Sequence, residues 1–290
     1  MPYQRVRLIS GRGPAASQFA DALRGLAVDA ADRIYAVGDS AVKVFSPEGE
    51  LVGLWQTERA GWAIAVAKDR TVFVGQTDQA QLFDPAGHLT QTWKDPQRLG
   101  LPTAVGLCGE HVLVADAKDR CIRCYDLDGR FRHSIGGAGR MRGFLIPNGH
   151  LDLTVDADGV LHVPNPGKHR VERYDLSGRL LGQFGRFDGT DPAGFSGCCN
   201  PTNIALLPSG QVVVTEKAPP RIKVYEADGR LLELFGQDDF DPRCKNMDVA
   251  ADSRGRVYVV DTIRLHICVF APAEAQDATS RPATREGQPR

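Results

Sequence analysis

Three cysteines in the second half of the chain, Cys198, Cys199 and Cys244, are the side chains best suited to chemistry. Thiolates are soft donors that select zinc, copper or iron over hard cations, so the three with His169 or His150 nearby could ligate such a metal. Alternative uses are a reversible disulfide between Cys244 and Cys198 or Cys199, or one thiol acting as a nucleophile. The plain reading is that they are small buried loop residues. Glu216 and Lys217 form the most notable ionisable pair, because a carboxylate beside an amine can take up and return a proton. The plain alternative is a solvated loop ion pair. His169, between Lys168 and Arg170, could carry protons or bind metal, or could be a solvated loop histidine. Arg140, Arg142, Asn165, Lys168, Arg170 and Asp261 complete the candidates as ligand- or partner-binding residues.

These residues act together only if the fold brings their loops to one place, and an internal repeat supplies the means. A pattern recurs about every 40 to 50 residues: an apolar strand, a polar turn, a β-branched strand, a loop opened by Asp or Asn, a strand ending in Tyr or Phe, an Asp-Gly-like turn and a last apolar strand. In the first copy these are Gly25-Leu-Ala-Val-Asp29, Arg33-Ile-Tyr-Ala-Val37, Val42-Lys-Val-Phe45, Pro47-Glu-Gly49 and Leu51-Val-Gly-Leu-Trp55. Six copies follow one another, and the sixth, ending at Ile267-Cys-Val-Phe270, lacks its fourth strand. Arg5-Val-Arg-Leu-Ile9 matches the fourth-strand pattern of Leu232-Glu-Leu-Phe-Gly236 and is the natural donor. The expected fold is all-β: a six-bladed β-propeller of four-stranded antiparallel blades, closed by the N-terminal strand, which protects the sheet edges. Residues 1–272 are expected to form this one domain, with 273–290 a disordered tail poor in apolar pattern.

The segments 25–45, 155–174 and 249–270, each followed or bounded by its turn, resemble NHL repeats. Asn165-Pro-Gly-Lys-His-Arg170 and Asp261-Thr-Ile-Arg264 resemble the NHL loop that joins an Asp or Asn to a following Arg. The second copy departs, offering Gly75-Gln-Thr-Asp-Gln79 without an arginine. The resemblance spans nearly the whole chain and implies a ring that binds protein or RNA, or, by kinship with other six-bladed propellers, a metal-dependent hydrolase or lyase. Fold alone does not choose among them.

In such a ring, the loops between second and third strands and those between blades share one face around the channel mouth. The longest interblade loops are 136–150, 185–201 and 236–246, and the last two carry Cys198, Cys199 and Cys244. Asp39, Asp116, Asn165, Glu216 and Asp261 end the second strands there; they could hold calcium or water, or tie the loops by bonding backbone and nearby arginines. Cys121 and Cys124, three apart on one strand, point to opposite faces and cannot readily pair; Cys108, Cys124 and Cys268 read as structural.

Composition excludes several classes. The 290 residues carry 35 Lys and Arg against 36 Asp and Glu, a balance that argues against broad nucleic-acid binding. No run approaches the roughly 18 apolar residues of a spanning helix, and the start carries no continuous apolar signal segment. A cytoplasmic monomer is expected. Zinc-helix, P-loop and nucleophile-elbow motifs are absent. The expected function is a binding or scaffold module whose loop-rich face takes a protein partner or small ligand. The alternative is a metal- or thiol-dependent lyase, hydrolase or oxidoreductase with its site at the channel mouth.

Overall fold

The computed structural model describes residues 2–137 and 143–273. Its strands build six four-stranded antiparallel sheets arranged as blades of a ring. Blade 1 is β2 (Gly25–Val28), β3 (Ile34–Gly38), β4 (Ala41–Phe45) and β5 (Leu51–Gln56). Blade 2 is β6 (Gly61–Val66), β7 (Val72–Gln76), β8 (Gln79–Phe83) and β9 (Leu89–Lys94), and blade 3 is β10 (Pro102–Cys108), β11 (His111–Asp116), β12 (Cys121–Asp126) and β13 (Phe131–Gly136). Blade 4 comprises β14 (Thr154–Val155), β15 (Leu161–Asn165), β16 (Arg170–Tyr174) and β17 (Leu180–Phe184). Blade 5 comprises β18 (Asn203–Leu206), β19 (Val212–Glu216), β20 (Arg221–Tyr225) and β21 (Leu231–Phe235). Blade 6 has β22 (Val249–Ala251), β23 (Val257–Asp261) and β24 (His266–Pro272), and β1 (Tyr3–Ser10) supplies its outer strand, as the sequence predicts.

The middle strands are buried along most of their length because each blade is packed on both faces. Ile34 and Ala36 of β3 join the core shared with blade 6, while Tyr35 and Val37 join the core shared with blade 2. Period-two alternation therefore sends successive apolar side chains into two different interfaces. This is why β3, β7 and β19 read as almost continuous apolar runs. Cys124 packs between blades 3 and 4, and Cys268 between blades 5 and 6, both structural as expected.

The hairpin between third and fourth strands explains the repeated Asp-Gly signal. Gly87 and Gly129 hold φ of +88° and +78°, and a Cβ on either would lie 2.6 Å from the ring of Trp55 or Trp93 on the preceding blade. Glycine is needed twice over, for its backbone and for the space. The register then slips by one residue at Leu82/Phe83 and Cys124/Tyr125, the bulge that ends each turn.

Ring closure rests on the pairing of β1 with β24. β1 pairs along β24 from Tyr3↔Pro272 to Ser10↔His266, Ile9 is buried, and Tyr3 stacks on Phe235 at 4.7 Å while its hydroxyl donates to the Gly255 carbonyl at 2.8 Å. Val6 and Leu8 remain exposed. Removing residues 2–10 would bare the edge of β24 and open the ring. The truncated chain should melt at least about 10 °C lower or lose its cooperative transition, as expected when a domain of this size loses several kcal/mol. An unchanged melting curve would show that β1 does not close the ring.

Candidate functional site

The antiparallel order puts the interblade loops and the second-to-third-strand loops on one face, and the residues ending the second strands organise it. Asp39 accepts from the backbone N–H groups of Ala20, Asp21 and Ala22, and Asp116 from those of Leu101, Gly100 and Lys118. Asn165 accepts from Leu145 N–H at 2.9 Å, and Asp261 accepts from Asp241, Ile263 and Arg264. In blade 2, which lacks an acid, the Gln76 side-chain amide donates to the Arg59 carbonyl and bonds Gln79. These side chains hold the preceding interblade loop as well as their own, a wider role than the self-bonding turn that the sequence suggests. Burial pushes the Asp261 carboxyl up, but its N–H donors prevail and hold it below the usual range.

The sequence-derived candidates fall into separate settings on this face. Glu216 is wholly buried and pairs with Arg221 and Lys223, the latter at 3.1 Å, rather than with Lys217. The reason is strand register: Glu216 ends β19 opposite Arg221, with Lys223 two residues further along β20 on the same face, while Lys217 begins the loop. Asn165 donates to Glu172, which also takes Arg170 and faces Lys168 at 3.7 Å, so Arg170 pairs with Glu172 instead of the residue ending its second strand. His169 follows the short 3-10 turn Pro166–Lys168 with φ of 52°, and its ring meets Phe187 edge-on with centroids 5.0 Å apart. Arg140 and Arg142 lie outside the described residues. The acids of loops 185–201 and 236–246 are largely matched locally, Arg186 to Asp188 and Asp191, Arg243 to Asp241 and Arg5 to Asp239.

The thiols divide in two. Cys244 is buried and donates to Asp261 at 3.2 Å, burial first and the carboxylate second pushing its thiol up to about 11. Cys198 is exposed, with its Sγ 2.9 Å from the Sγ of buried Cys199. The hydrogen bond from Cys199, helped by Lys217, lowers the Cys198 thiol, whereas burial raises that of Cys199. Among the described residues there is no group of three or more His, Cys, Asp and Glu side chains placed to hold a metal ion.

A cluster that the sequence pattern did not assemble lies where the innermost strands begin. Asp152 lies two residues before β14, Asn203 begins β18 and Asp248 immediately precedes β22, with His150 just ahead of Asp152 in its loop. Each acid reaches the next blade: Asp152 accepts from Ile204 N–H at 2.8 Å and Asp248 from Leu26 N–H at 2.6 Å. Thr103 bonds both N–H and carbonyl of Leu151, and Thr215 donates to the Met247 carbonyl, so polar side chains staple successive blades around the mouth. The Asn203 amide donates to His150 Nε2 at 2.9 Å and, at 3.4 Å, to Asp248. The reverse orientation would set its carbonyl against the Asp248 carboxylate. Burial pushes His150 down to about 4, so its ring is neutral and free to accept. Burial pushes Asp248 up to about 7, and burial first with Asp248 second pushes Asp152 well above the ordinary carboxylate range. Asp248 keeps some exposed surface, but that surface faces the narrow channel rather than bulk water. The signal in the sequence was a polar residue at the approach to three successive inner strands, between apolar neighbours in Leu151-Asp-Leu153 and Met247-Asp-Val249 and after a threonine in Thr202-Asn-Ile204.

Comparison with known proteins adds the following. No family model matches the chain. It is 30% identical over 140 residues to Protein brain tumor of Drosophila melanogaster and 32% over 139 residues to B-box type zinc finger protein ncl-1 of Caenorhabditis elegans. Each match covers 47% of this chain, and the chain spans only 12% and 15% of those relatives. Among solved structures, a Bacteroides thetaiotaomicron protein of unknown function superimposes with a TM-score of 0.71 at 13% identity, covering 93% of this chain and 75% of that one. A streptogramin B lyase gives 0.60 at 12%, covering 89% and 80%, and the WD40 propeller domain of Doa1 gives 0.62 at 12%, covering 94% and 98%. At these identities the likeness establishes the propeller fold and nothing of activity.

Two outcomes follow from the titrating groups. Iodoacetamide should alkylate Cys198 first and Cys121, Cys244 and Cys268 last, followed by peptide mass spectrometry; equal rates at Cys198 and Cys244 would contradict the placement. The second concerns Asp248. A carboxyl whose folded pKa is raised contributes most when protonated, and that contribution is lost as pH rises from its unfolded value toward its folded one. Between about pH 4 and above pH 7, the unfolding free energy of Asp248→Asn should therefore gain on that of the wild type, with His150 and Asp152 titrating in both. Denaturant titrations across this range check it, and a difference independent of pH would contradict it.

Proposed function

We propose that the chain is an NHL-type propeller that acts as a binding module, taking a protein partner on the loop face over blades 4 and 5. The observation that carries this reading is the exposure of two large apolar side chains, Phe187 at 62% and Leu145 at 45%, on consecutive interblade loops flanking the Pro166–His169 turn. Both loops are held firmly beneath: Gly167 N–H donates to the Leu145 carbonyl at 2.7 Å, and Phe187 lies on a backbone bridge to buried Phe195. A rigid, exposed aromatic edged by Lys168 and Arg186 has the character of a binding hot spot, since ordering it on contact costs little. The repeat pattern and the partial identity to two curated animal proteins support the NHL-type reading.

Peptide display on the immobilised propeller tests this. Selected peptides should lose at least about tenfold in affinity on Phe187→Ala, the scale of an interface hot spot, and should keep it on Val52→Ala in the outer strand of blade 1. Selections whose binders ignore Phe187 and Leu145 would place binding elsewhere and overturn the proposal.

A further inference from the structure

Cys198 and Cys199 stand against one another, with their Sγ atoms 2.9 Å apart. Other cysteines turn to different partners: Cys244 donates to Asp261 at 3.2 Å, and Cys124 meets His111 Nδ1 at 3.6 Å. Access divides the pair. Cys198 is exposed and Cys199 is only 4% exposed, so a reagent arriving from solvent reaches the first sulfur while the second is shielded beside it.

The turn that carries the two thiols is held at both ends. Asn200 Nδ2 donates to the Ser196 carbonyl at 2.7 Å and to the Lys217 carbonyl at 2.9 Å, and Asn200 Oδ1 accepts from Lys217 N–H at 2.9 Å. Ser196 Oγ in turn accepts from Arg221 at 3.1 Å, and Lys223, buried on Glu216, donates to the Gly194 carbonyl at 2.5 Å. Within this clamp the sulfurs are presented to each other, so that little chain entropy remains to be lost when they react. The clamp also brings Lys217 to the pair. The Cys199 S–H donates to Cys198 and, with the Lys217 charge, favours the Cys198 thiolate, while burial keeps Cys199 protonated. One sulfur is an accessible nucleophile, and the other can displace what forms on it.

We propose that Cys198 and Cys199 are a reversible oxidation site, at which a hydroperoxide converts the adjacent thiols to a Cys198–Cys199 disulfide. The Cys198 sulfur attacks the terminal peroxide oxygen, the O–O bond breaks, and the alkoxide leaves with a proton as the alcohol, so that Cys198 becomes a sulfenic acid. The Cys199 sulfur then attacks the Cys198 sulfur; the S–S bond forms, the S–O bond breaks, and hydroxide leaves with the Cys199 proton as water. Two thiols lose two electrons and two protons, and ROOH becomes ROH and water. Neighbouring Cα atoms lie only about 3.8 Å apart, below the roughly 4.4 Å at which the usual disulfide range begins. A bridge between adjacent residues is therefore strained, and a dithiol reductant returns it readily to thiols. This chemistry does not depend on the partner proposed for Phe187.

Peptide mass mapping of the full chain, after brief treatment with hydrogen peroxide and then alkylation, tests the proposal. The peptide carrying Cys198 and Cys199 should lose two hydrogens, escape alkylation at both residues and regain both thiols with dithiothreitol. It should react at least about tenfold faster than Cys244, as expected for an exposed thiolate against a buried thiol. In Cys199→Ser, Cys198 should stop at the sulfenic acid and be trapped by dimedone, whereas Cys244→Ser should oxidise as the wild type does. The wild-type map reads the bridge directly, so it decides even where a variant fails to fold. A Cys198–Cys244 bridge, a link between two chains, or Cys198 sulfinic acid beside an unreacted Cys199 would each overturn the proposal. A pair that reacts no faster than Cys244 would overturn it too.

Discussion

A carboxylate removed from bulk water must be met by donors or by a cation, and that constraint shapes every level of this propeller. The apolar strands alone would stack as sheets between neighbours; what fixes the loops above them is the acid or amide ending each second strand. Asp39, Asp116, Asn165 and Asp261 draw backbone N–H groups from the preceding interblade loop into place, and Glu216 gathers Arg221 and Lys223. Because these bonds cross from one blade's strand to the loop that enters it, each blade is docked by polar groups as well as by its apolar faces. The loop face is rigid for that reason, and rigidity is what makes its exposed side chains useful for recognition.

The same constraint separates the two sites. Around Phe187 the charges are matched locally, Arg186 with its own loop's acids and Arg170 with Glu172, so what the surface offers a partner is mainly apolar area. At the channel mouth no cation faces Asp152 and Asp248 among the described residues, and backbone N–H groups and the Asn203 amide meet their oxygens instead.

Much of the fold was legible because its signals are local and repeated six times. Alternating apolar residues, glycine turns forced by Trp55 and Trp93, and the unmatched third strand ending at Phe270 together specify the number of blades and the donor of the closing strand. The site was less legible, since contacts between loops depend on paths that no periodicity encodes. Glu216 and Lys217 are neighbours in sequence, yet strand geometry turns the carboxylate to Arg221 and Lys223. Cys198, Cys199 and Cys244 look alike on paper, but Cys244 is buried on Asp261 while Cys198 is open beside Lys217. Asp152, Asn203 and Asp248 are about 50 residues apart, and only the stacking of successive blades around the axis makes them neighbours; their shared place at the approach to an inner strand was the one clue.

The most direct measurement is a carbon-13 NMR titration of the aspartate side-chain carboxyls, with Asp152, Asp248 and Asp261 assigned by substitution. The account predicts that Asp152 and Asp248 titrate above the ordinary aspartate range, each shifting when the other ionises, while Asp261, met by three backbone N–H groups, titrates below it. All three titrating near the ordinary value would mean that burial and N–H donation do not set these carboxyls, and the account would be wrong.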